Sequence, residues 1–370
     1  MILSSINLKN FRSHNDTYLN FSDKLNFIIG GNGQGKTTVL EGIYYLCTNK
    51  SNNSKTDIEA VSFNKTGFEL NGIFNDLSEN KVRIVYSVAD NKKFYFKDAK
   101  LISRSTDIIG KFPVVILTPS DHSITQGPPA ERRKFVDSVI SQASENYLKT
   151  LLDYNKTLRQ RSALMFQLKE EREKYLFDEL NAWTEKLIES GLSIINYRLN
   201  FTATFIKYID ASYKIIMGSD EVPGLRYSCL ENYEGSGLKE EFTRLIELKR
   251  DEELRRSSNL VGPHRDDFIL DINNLSLKNY GSQGQHKTFQ VILRFAQFFY
   301  LKEIMGIVPL FLLDDIFGEL DAARSKRISE YLRELGQAFI TMTDFTNLAF
   351  MQKNGNDRHI NLRSGVVAYG

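Results

Sequence analysis

The feature that most restricts this chain is the run Gly30-Gly31-Asn32-Gly33-Gln34-Gly35-Lys36-Thr37, which satisfies G-x-x-x-x-G-K-[ST]. An apolar segment, Leu25 to Ile29, leads into it, and a helical stretch opens at Lys36 and continues to Tyr45. Glycines let successive backbone N–H groups turn inward around phosphate oxygens, and the helix N-terminus adds its partial positive charge. Lys36 would then reach the β- and γ-phosphates of a nucleotide and the Thr37 hydroxyl would ligate Mg²⁺, with Thr38 beside them in the same turn. Such a loop needs a sheet whose strands end where helices begin.

Both ends of the sequence supply strands and helices in that order. Ile2 to Leu8, Leu25 to Ile29, Gly67 to Phe74, Val82 to Val88 and Lys93 to Phe96 read as strands, the last two joined by a turn at Asp90-Asn91. Near the other end, helix 286–304, strand Leu310 to Leu313, helix 321–335 and strand Ala338 to Met342 alternate, with a last strand near His359 to Leu362. Between them, Ala130 to Val222 holds no proline, and Leu148, Leu151, Leu158, Leu176, Leu180, Leu187 and Ile194 recur at helical spacing. The spacing predicts two or more long helices with a bend near Lys169 to Lys174, closed by Pro223. The expected class is α/β, one domain whose halves lie apart in sequence around a helical insertion. The predicted boundaries are 1–129 and 256–370 for the two halves, and 130–255 for the insertion.

The balance of 48 Lys plus Arg against 46 Asp plus Glu gives a net charge of +2, which excludes a polycation. Residues 1–129 carry 15 basic and 12 acidic side chains, the largest local excess, so any nucleic-acid site has to be a patch. Cys47 and Cys229 form no CxxC pair, so no disulfide framework or zinc ribbon is expected. With no basic-then-apolar start and no apolar run near the roughly 20 residues of a membrane helix, a cytoplasmic protein without a membrane partner is predicted.

A second chemical signal is Pro309-Leu310-Phe311-Leu312-Leu313-Asp314-Asp315, an apolar strand ending in two carboxylates. In a parallel sheet it delivers them to the edge where the phosphate loop also lies. Asp314 would hold Mg²⁺, directly or through water, and Asp315 would orient or deprotonate the attacking water. A third is Tyr280-Gly281-Ser282-Gln283-Gly284-Gln285, which ends 29 residues before Asp314, with Gly318-Glu319-Leu320-Asp321 close behind the acids. By themselves Ser282 to Gln285 would read as a polar helix cap. In this order they resemble the signature motif and D-loop of ABC-type ATPases, where the signature Ser and the helix start behind it bind the γ-phosphate held by the opposite subunit.

Taken together the chain resembles the RecF-like recombination mediators among the ABC/SMC-like ATPases. The resemblance rests on Asn10-Phe11-Arg12-Ser13, Gly30 to Thr37, Gly127 to Phe135, Gly262-Pro263-His264-Arg265-Asp266-Asp267, Ser282 to Thr288 and Leu313 to Asp321. It implies an ATPase head (lobe I) with a helical arm (lobe II), ATP and Mg²⁺ as cofactors, and an ATP-dependent homodimer. It also implies binding to DNA near gaps and junctions, and work with RecR and RecO to load RecA. The site it implies comprises Gly30 to Thr38, Arg12, Ser282, Gly284, Gln285 and Asp321 around the nucleotide, Thr37 and Asp314 on the metal, and Asp315 and Thr343 at the chemistry. Two positions depart from the pattern. Thr118-Pro119-Ser120-Asp121 stands where a Q-loop glutamine is expected, and Thr343 stands where many ABC ATPases have His. A hydroxyl bonds phosphate or water but shuttles protons poorly, so slow hydrolysis, suited to a timer, is expected.

Other basic residues have two readings each. Lys92, Lys93, Lys97 and Lys100 alternate with Phe94, Tyr95 and Phe96, as DNA contacts or as guards of an edge strand. Arg132, Arg133 and Lys134 start a helix and either bind DNA or close an ion-pair network. Competing functions fit the pattern less well. A transporter subunit or a small-molecule kinase does not explain 247 positions between Gly35 and Ser282 together with the signature. A structural SMC-like protein needs heptads over hundreds of residues, and this helical block runs only from 130 to 222.

Overall fold

The computed structural model describes residues 1–171, 173–218, 221–231, 233, 235, 237–319, 322–343, 355–363 and 366–369. The chain divides into two compact units, one of residues 1–121, 211–219 and 287–370, the other of 122–210 and 220–286. Residues 256–286, which the sequence-based division counts with the C-terminal half of the head, belong to the second unit, because a strand there pairs within it.

The first unit opens with β1 (Ile2–Phe11), β2 (His14–Asn20), β3 (Leu25–Ile29) and α1 (Lys36–Thr48). It continues through β4 (Gly67–Asn75), β5 (Glu79–Ser87), β6 (Lys92–Lys97), β7 (Lys100–Ile102) and β8 (Val114–Leu117). The second unit follows with α2 (His122–Gln126), α3 (Pro129–Ala143), α4 (Glu145–Glu170) and α5 (Lys174–Met217), whose last residues return to the first unit. It then adds β9 (Pro223–Ser228), α6 (Leu238–Arg256), β10 (Asp267–Ile272), β11 (Leu275–Ser276), α7 (Leu277–Tyr280) and the start of α8 (Gln283–Met305). The rest of α8, then β12 (Leu310–Asp314), α9 (Ala322–Leu335), β13 (Ala338–Met342), β14 (Arg358–Arg363) and β15 (Val366–Tyr369), completes the first.

Two sheets make the first unit. One is antiparallel in the order β2-β1-β4-β5-β6-β7. Its strands alternate, with Phe68, Leu70 and Phe74 of β4 turned to the core and Glu69 and Asn71 away. The other has the order β15-β14-β3-β13-β12-β8 and is parallel except for β15. Its strands β8, β12 and β13 are buried along their whole length, which a parallel sheet covered on both faces requires. Helix α1 lies against both sheets, its Val39, Leu40, Ile43 and Leu46 sharing one core with Ile6 and Leu8 on one side and Ile28, Leu312 and Phe339 on the other. Gly42 makes this approach possible, since a Cβ there would stand 2.5 Å from Leu8 Cδ2.

The second unit is a helical arm with a three-stranded antiparallel sheet, β11-β10-β9. The chain leaves α4 after Glu170 and enters α5 at Lys174, and Leu164, Met165, Leu168, Leu176 and Leu180 bury one another around that turn. Two arginines sit inside the unit with full sets of partners. Arg161, 3% exposed, donates to Glu253 Oε2 at 2.9 Å, to Thr184 Oγ1 at 3.0 Å and to Asn259 Oδ1. Arg198 clasps Asp137 at 2.9 and 3.0 Å, donates to Pro263 O at 2.6 Å, and lies over the Tyr227 and Phe268 rings.

The 262–267 segment is the hub of these contacts. His264 Nε2 donates to Asn259 O at 3.1 Å, which leaves Nδ1 to accept from the Tyr154 hydroxyl at 2.7 Å. Burial lowers the His264 pKa to about 4, so the ring is neutral at pH 7. Asp266 accepts from Tyr227 and from Leu230 N–H. Arg132 binds Asp267 through two 2.8 Å bonds, and Arg133 donates to Asp266 O at 2.5 Å. Arg132 therefore closes an ion pair, Arg133 bonds a backbone carbonyl, and Lys134 beside them is exposed.

Candidate functional site

In the parallel sheet β3 lies between β14 and β13, and β12 lies beyond β13, so the carboxyl ends of β3, β13 and β12 meet at one edge. The loop after β3 is held by Gly30 N–H on Met342 O at 3.2 Å and Gln34 N–H on Gly31 O at 3.4 Å. Gly33 and Gly35 take φ of +77° and +90°, the left-handed region glycine enters without steric cost. Close packing adds a second constraint, since a Cβ on Gly30 would lie 2.5 Å from Leu362 O, and one on Gly35 would lie 2.5 Å from His14 Nε2. Gly31, Asn32 and Gly33 are exposed at the mouth of the loop. Helix α1 begins with no side-chain cap and no acidic residue in its first turn, so its N–H groups and dipole face an anion unopposed.

Lys36 is buried, with Nζ donating to Gly30 O at 2.6 Å and Gly31 O at 2.9 Å. Thr37 Oγ1 donates to Asp314 Oδ1 at 2.8 Å, joining the loop to the acidic end of β12. Thr341 of β13 donates to the same oxygen at 2.7 Å and accepts from Asp315 N–H at 3.0 Å. Thr37 and Asp314 are adjacent hard oxygen donors, a set that suits Mg²⁺. Asp315 is exposed, at φ +50°, in the left-handed region that Asp enters more readily than most residues. Thr343 is exposed one residue beyond β13, at the same sheet edge. Asp321 lies outside the described residues.

Arg12, at φ +51°, turns its guanidinium onto Glu41 of α1, with Nε to Oε2 at 2.6 Å and Nη2 to Oε1 at 2.9 Å. Glu41 is 1% exposed, so this pair braces the phosphate-loop helix against the β1–β2 turn. Thr38 is buried in the first turn of α1. At the position expected for a Q-loop, Asp121 is buried in a two-bond pair with Arg294 of α8 at 2.8 and 2.7 Å, and Ser120 bonds Thr118. Of the lysines on β6 and β7, Lys93 turns inward to Asp57, Asn49 O and Tyr45, whereas Lys92 and Lys100 are exposed.

Three contributors to the site go unnoticed in the sequence: His14, Glu41 and Thr341. His14 is buried, its Nε2 donating to Gly35 O at 3.1 Å and its Nδ1 bonded to Thr17 Oγ1, and burial lowers its pKa. No local motif marks it, because its partner is 21 residues away.

Ser282 to Gln285 belong to the second unit. Ser282 Oγ accepts from Gln285 N–H at 3.2 Å while Gln285 Oε1 accepts from Ser282 N–H at 2.9 Å, a capping box at the start of α8. Ser282 and Gly284 remain exposed, and Gln285 Nε2 donates to Glu221 at 3.1 Å.

Known proteins resemble this chain in sequence and fold. A family model described as an AAA domain matches residues 5–353. The DNA replication and repair protein RecF of Chloroherpeton thalassium is 41% identical, with 96% of this chain and 98% of that protein covered. Its counterpart in Salinibacter ruber is 35% identical over 93% of this chain and 85% of its own length. A solved structure of the recombination mediator protein RecF with ATP superposes with a TM-score of 0.90 at 30% identity, covering 100% of this chain and 97% of that one. An Smc head domain from Pyrococcus furiosus, 17% identical, gives a TM-score of 0.57 and shares the fold. Among the described residues no helix is long and apolar enough to cross a membrane. A P-loop ATPase head carrying a helical arm, with near-full-length relatives above 30% identity, places the conclusion beyond the fold alone: the chain belongs to the RecF family of DNA replication and repair proteins.

Proposed function

We propose that this chain is an ATP-dependent DNA-binding protein of recombinational repair and replication. It dimerises on ATP at single-strand gaps or junctions, helps RecR and RecO to load RecA, and hydrolyses ATP slowly, with DNA stimulation, as a timer. The observation that carries this reading is the bonded set Thr37, Asp314 and Thr341, which brings the phosphate loop and the acidic strand end to one point. Mg²⁺, held by Thr37 and Asp314, would supply charge neutralisation to the β- and γ-phosphates. Lys36 exchanges its loop carbonyls for phosphate oxygens, and the N–H groups of Gly30 to Thr38 cradle the rest. Asp315 orients the attacking water, and Thr343 offers a hydroxyl without an efficient proton shuttle. Ser282, Gly284, Gln285 and Asp321 of a second copy cover the γ-phosphate, while Arg12 contacts nucleotide by exchanging its Glu41 partner. Sizing by light scattering with and without ATP·Mg²⁺ and gapped DNA tests the whole: a monomer under every condition rejects it.

Lys36→Ala is expected to weaken ATP binding by the loss of a charge-assisted contact of about 1.5–3 kcal/mol. Unchanged nucleotide affinity in a titration would remove Lys36 from the site. DNA affinity is expected to fall as salt rises from about 50 to 200 mM, because phosphate contacts release condensed counterions. The fall should be milder than for a polycation, given a largest local excess of 15 basic over 12 acidic residues. A binding isotherm indifferent to salt rejects recognition through the backbone.

A further inference from the structure

We propose, resting on the DNA-binding reading above, that the 62–66 turn is a base-stacking tip. Phe63 lays its ring on an unpaired or terminal base where single- and double-stranded DNA meet, and Lys65 takes the adjoining phosphate. Phe63 is 98% exposed. The turn that presents it is tied down on both sides, by Ser62 N–H on Asn10 O at 2.9 Å, Lys65 N–H on Ser62 O at 3.1 Å and Val88 N–H on Thr66 O at 2.9 Å. Asn64 at φ +61° completes it. The ring is therefore held out in water by an ordered backbone, at little further entropic cost on binding.

Charge selects the partner. Lys50, Lys55 and Lys65 are exposed on this stretch, Asp57 is engaged by Lys93, and Glu59 is the one exposed carboxylate among residues 48–66. Ile58, 52% exposed, is the other large apolar side chain there. A protein hot spot needs a well-packed surround that shuts out water, and Phe63 instead stands out at a turn tip. A single aromatic among lysines fits a base, whose face any sequence offers, beside a phosphate. The tip is also wired to the nucleotide site, since Ser62 Oγ donates to Arg12 O at 2.6 Å and Arg12 grips Glu41 on α1.

The test is anisotropy titration of labelled gapped duplex and blunt duplex, with ATP·Mg²⁺, for the whole chain and for Phe63→Ala, Phe63→Trp and Lys65→Gln. Phe63→Ala is expected to weaken gapped-duplex binding by roughly 5- to 100-fold with the salt slope unchanged, as stacking loss predicts. Blunt-duplex affinity, nucleotide affinity and thermal unfolding should stay as they were, and Phe63→Trp should retain gap binding. Lys65→Gln should lower the salt slope by about 1. Equal gap affinity for Phe63→Ala overturns the proposal and leaves DNA binding itself standing. Loss of ATP-driven dimerisation in Phe63→Ala also overturns it, by making the ring a contact between copies. A wild-type chain that binds no DNA in any nucleotide state removes the DNA-binding reading and this one together.

Discussion

Ser282→Arg is expected to abolish ATP-driven dimerisation while single chains still bind ATP, and Asp315→Asn is expected to accumulate the dimer. Nucleotide buried between two copies binds the dimer better than the monomer and pulls the equilibrium toward it. A bulky cation at Ser282 blocks that seam. Without the Asp315 carboxylate to orient water, ATP persists and the seam stays closed. Ser282 is also the cap of α8, accepting Gln285 N–H at 3.2 Å, so the arginine costs about 1 kcal/mol of helix stability as well. Ser282→Asp separates the two effects. It keeps a capping oxygen but sets a negative charge against the γ-phosphate, so it should fold like the parent and still fail to dimerise. Mixing Lys36→Ala with Ser282→Arg chains leaves one intact composite site and should return some association. Sedimentation with ATP·Mg²⁺ reads all of these. Ser282→Arg dimers alongside monomeric Asp315→Asn would mean that the ATPase works within one chain.

The largest effect on stability is expected from Arg161→Ala, at about 3–5 kcal/mol, because Glu253 would be left as an uncompensated buried charge. Both side chains are nearly inaccessible, at 3% and 2% exposed, and Glu253 also accepts Leu260 N–H at 2.7 Å. Replacing the pair together, Arg161→Met with Glu253→Gln, should recover most of the loss, since the cost lies in the orphaned charge more than in the lost attraction. The chain has a single tryptophan, Trp183, packed against the Leu164, Met165, Leu168, Leu176 and Leu180 cluster, so urea unfolding followed by its fluorescence reports on the arm. A loss under about 1 kcal/mol would show that water reaches the pair.

Much of this architecture was legible because its chemistry is local. The run from Leu25 to Thr37 carries strand, loop and helix start in consecutive residues, and β3 and β13 span the predicted Leu25 to Ile29 and Ala338 to Met342. The break between α4 and α5 falls inside the predicted bend at Lys169 to Lys174. Where the signal is not local, reading failed. Strand β2, HNDTYLN, looks like a polar loop, yet its His14 and Thr17 are buried through bonds to each other and to Gly35. Helix α5 already ends at Met217, with Gly218 at φ +60° just past it, so Pro223 is not its stop; it begins β9 instead, a strand with one partner, where a missing N–H is tolerated. Arg12 was read from its resemblance alone, and its grip on Glu41 depends on a contact 29 residues away. The roles of Arg132, Arg133 and His264 could not be chosen from sequence, because their partners lie on other elements.

The 262–267 segment has a consequence for how sequences with this fold can drift. Pro263 gives its carbonyl to Arg198 of α5, His264 joins Tyr154 of α4, Asp266 holds Tyr227 of β9, and Asp267 holds Arg132 of α3. Neighbouring residues thus answer to four different elements, and Gly262 just before them, at φ +127°, has Tyr154 Oη 2.5 Å from where a Cβ would be. A substitution at one of these positions is repaired only by a matching change far away in the chain. Acceptable paths of change must therefore pass through several simultaneous replacements, each intermediate carrying a buried group without its partner. Random drift should accumulate quickly on the exposed faces of α4 and α5 and scarcely at all in these six residues.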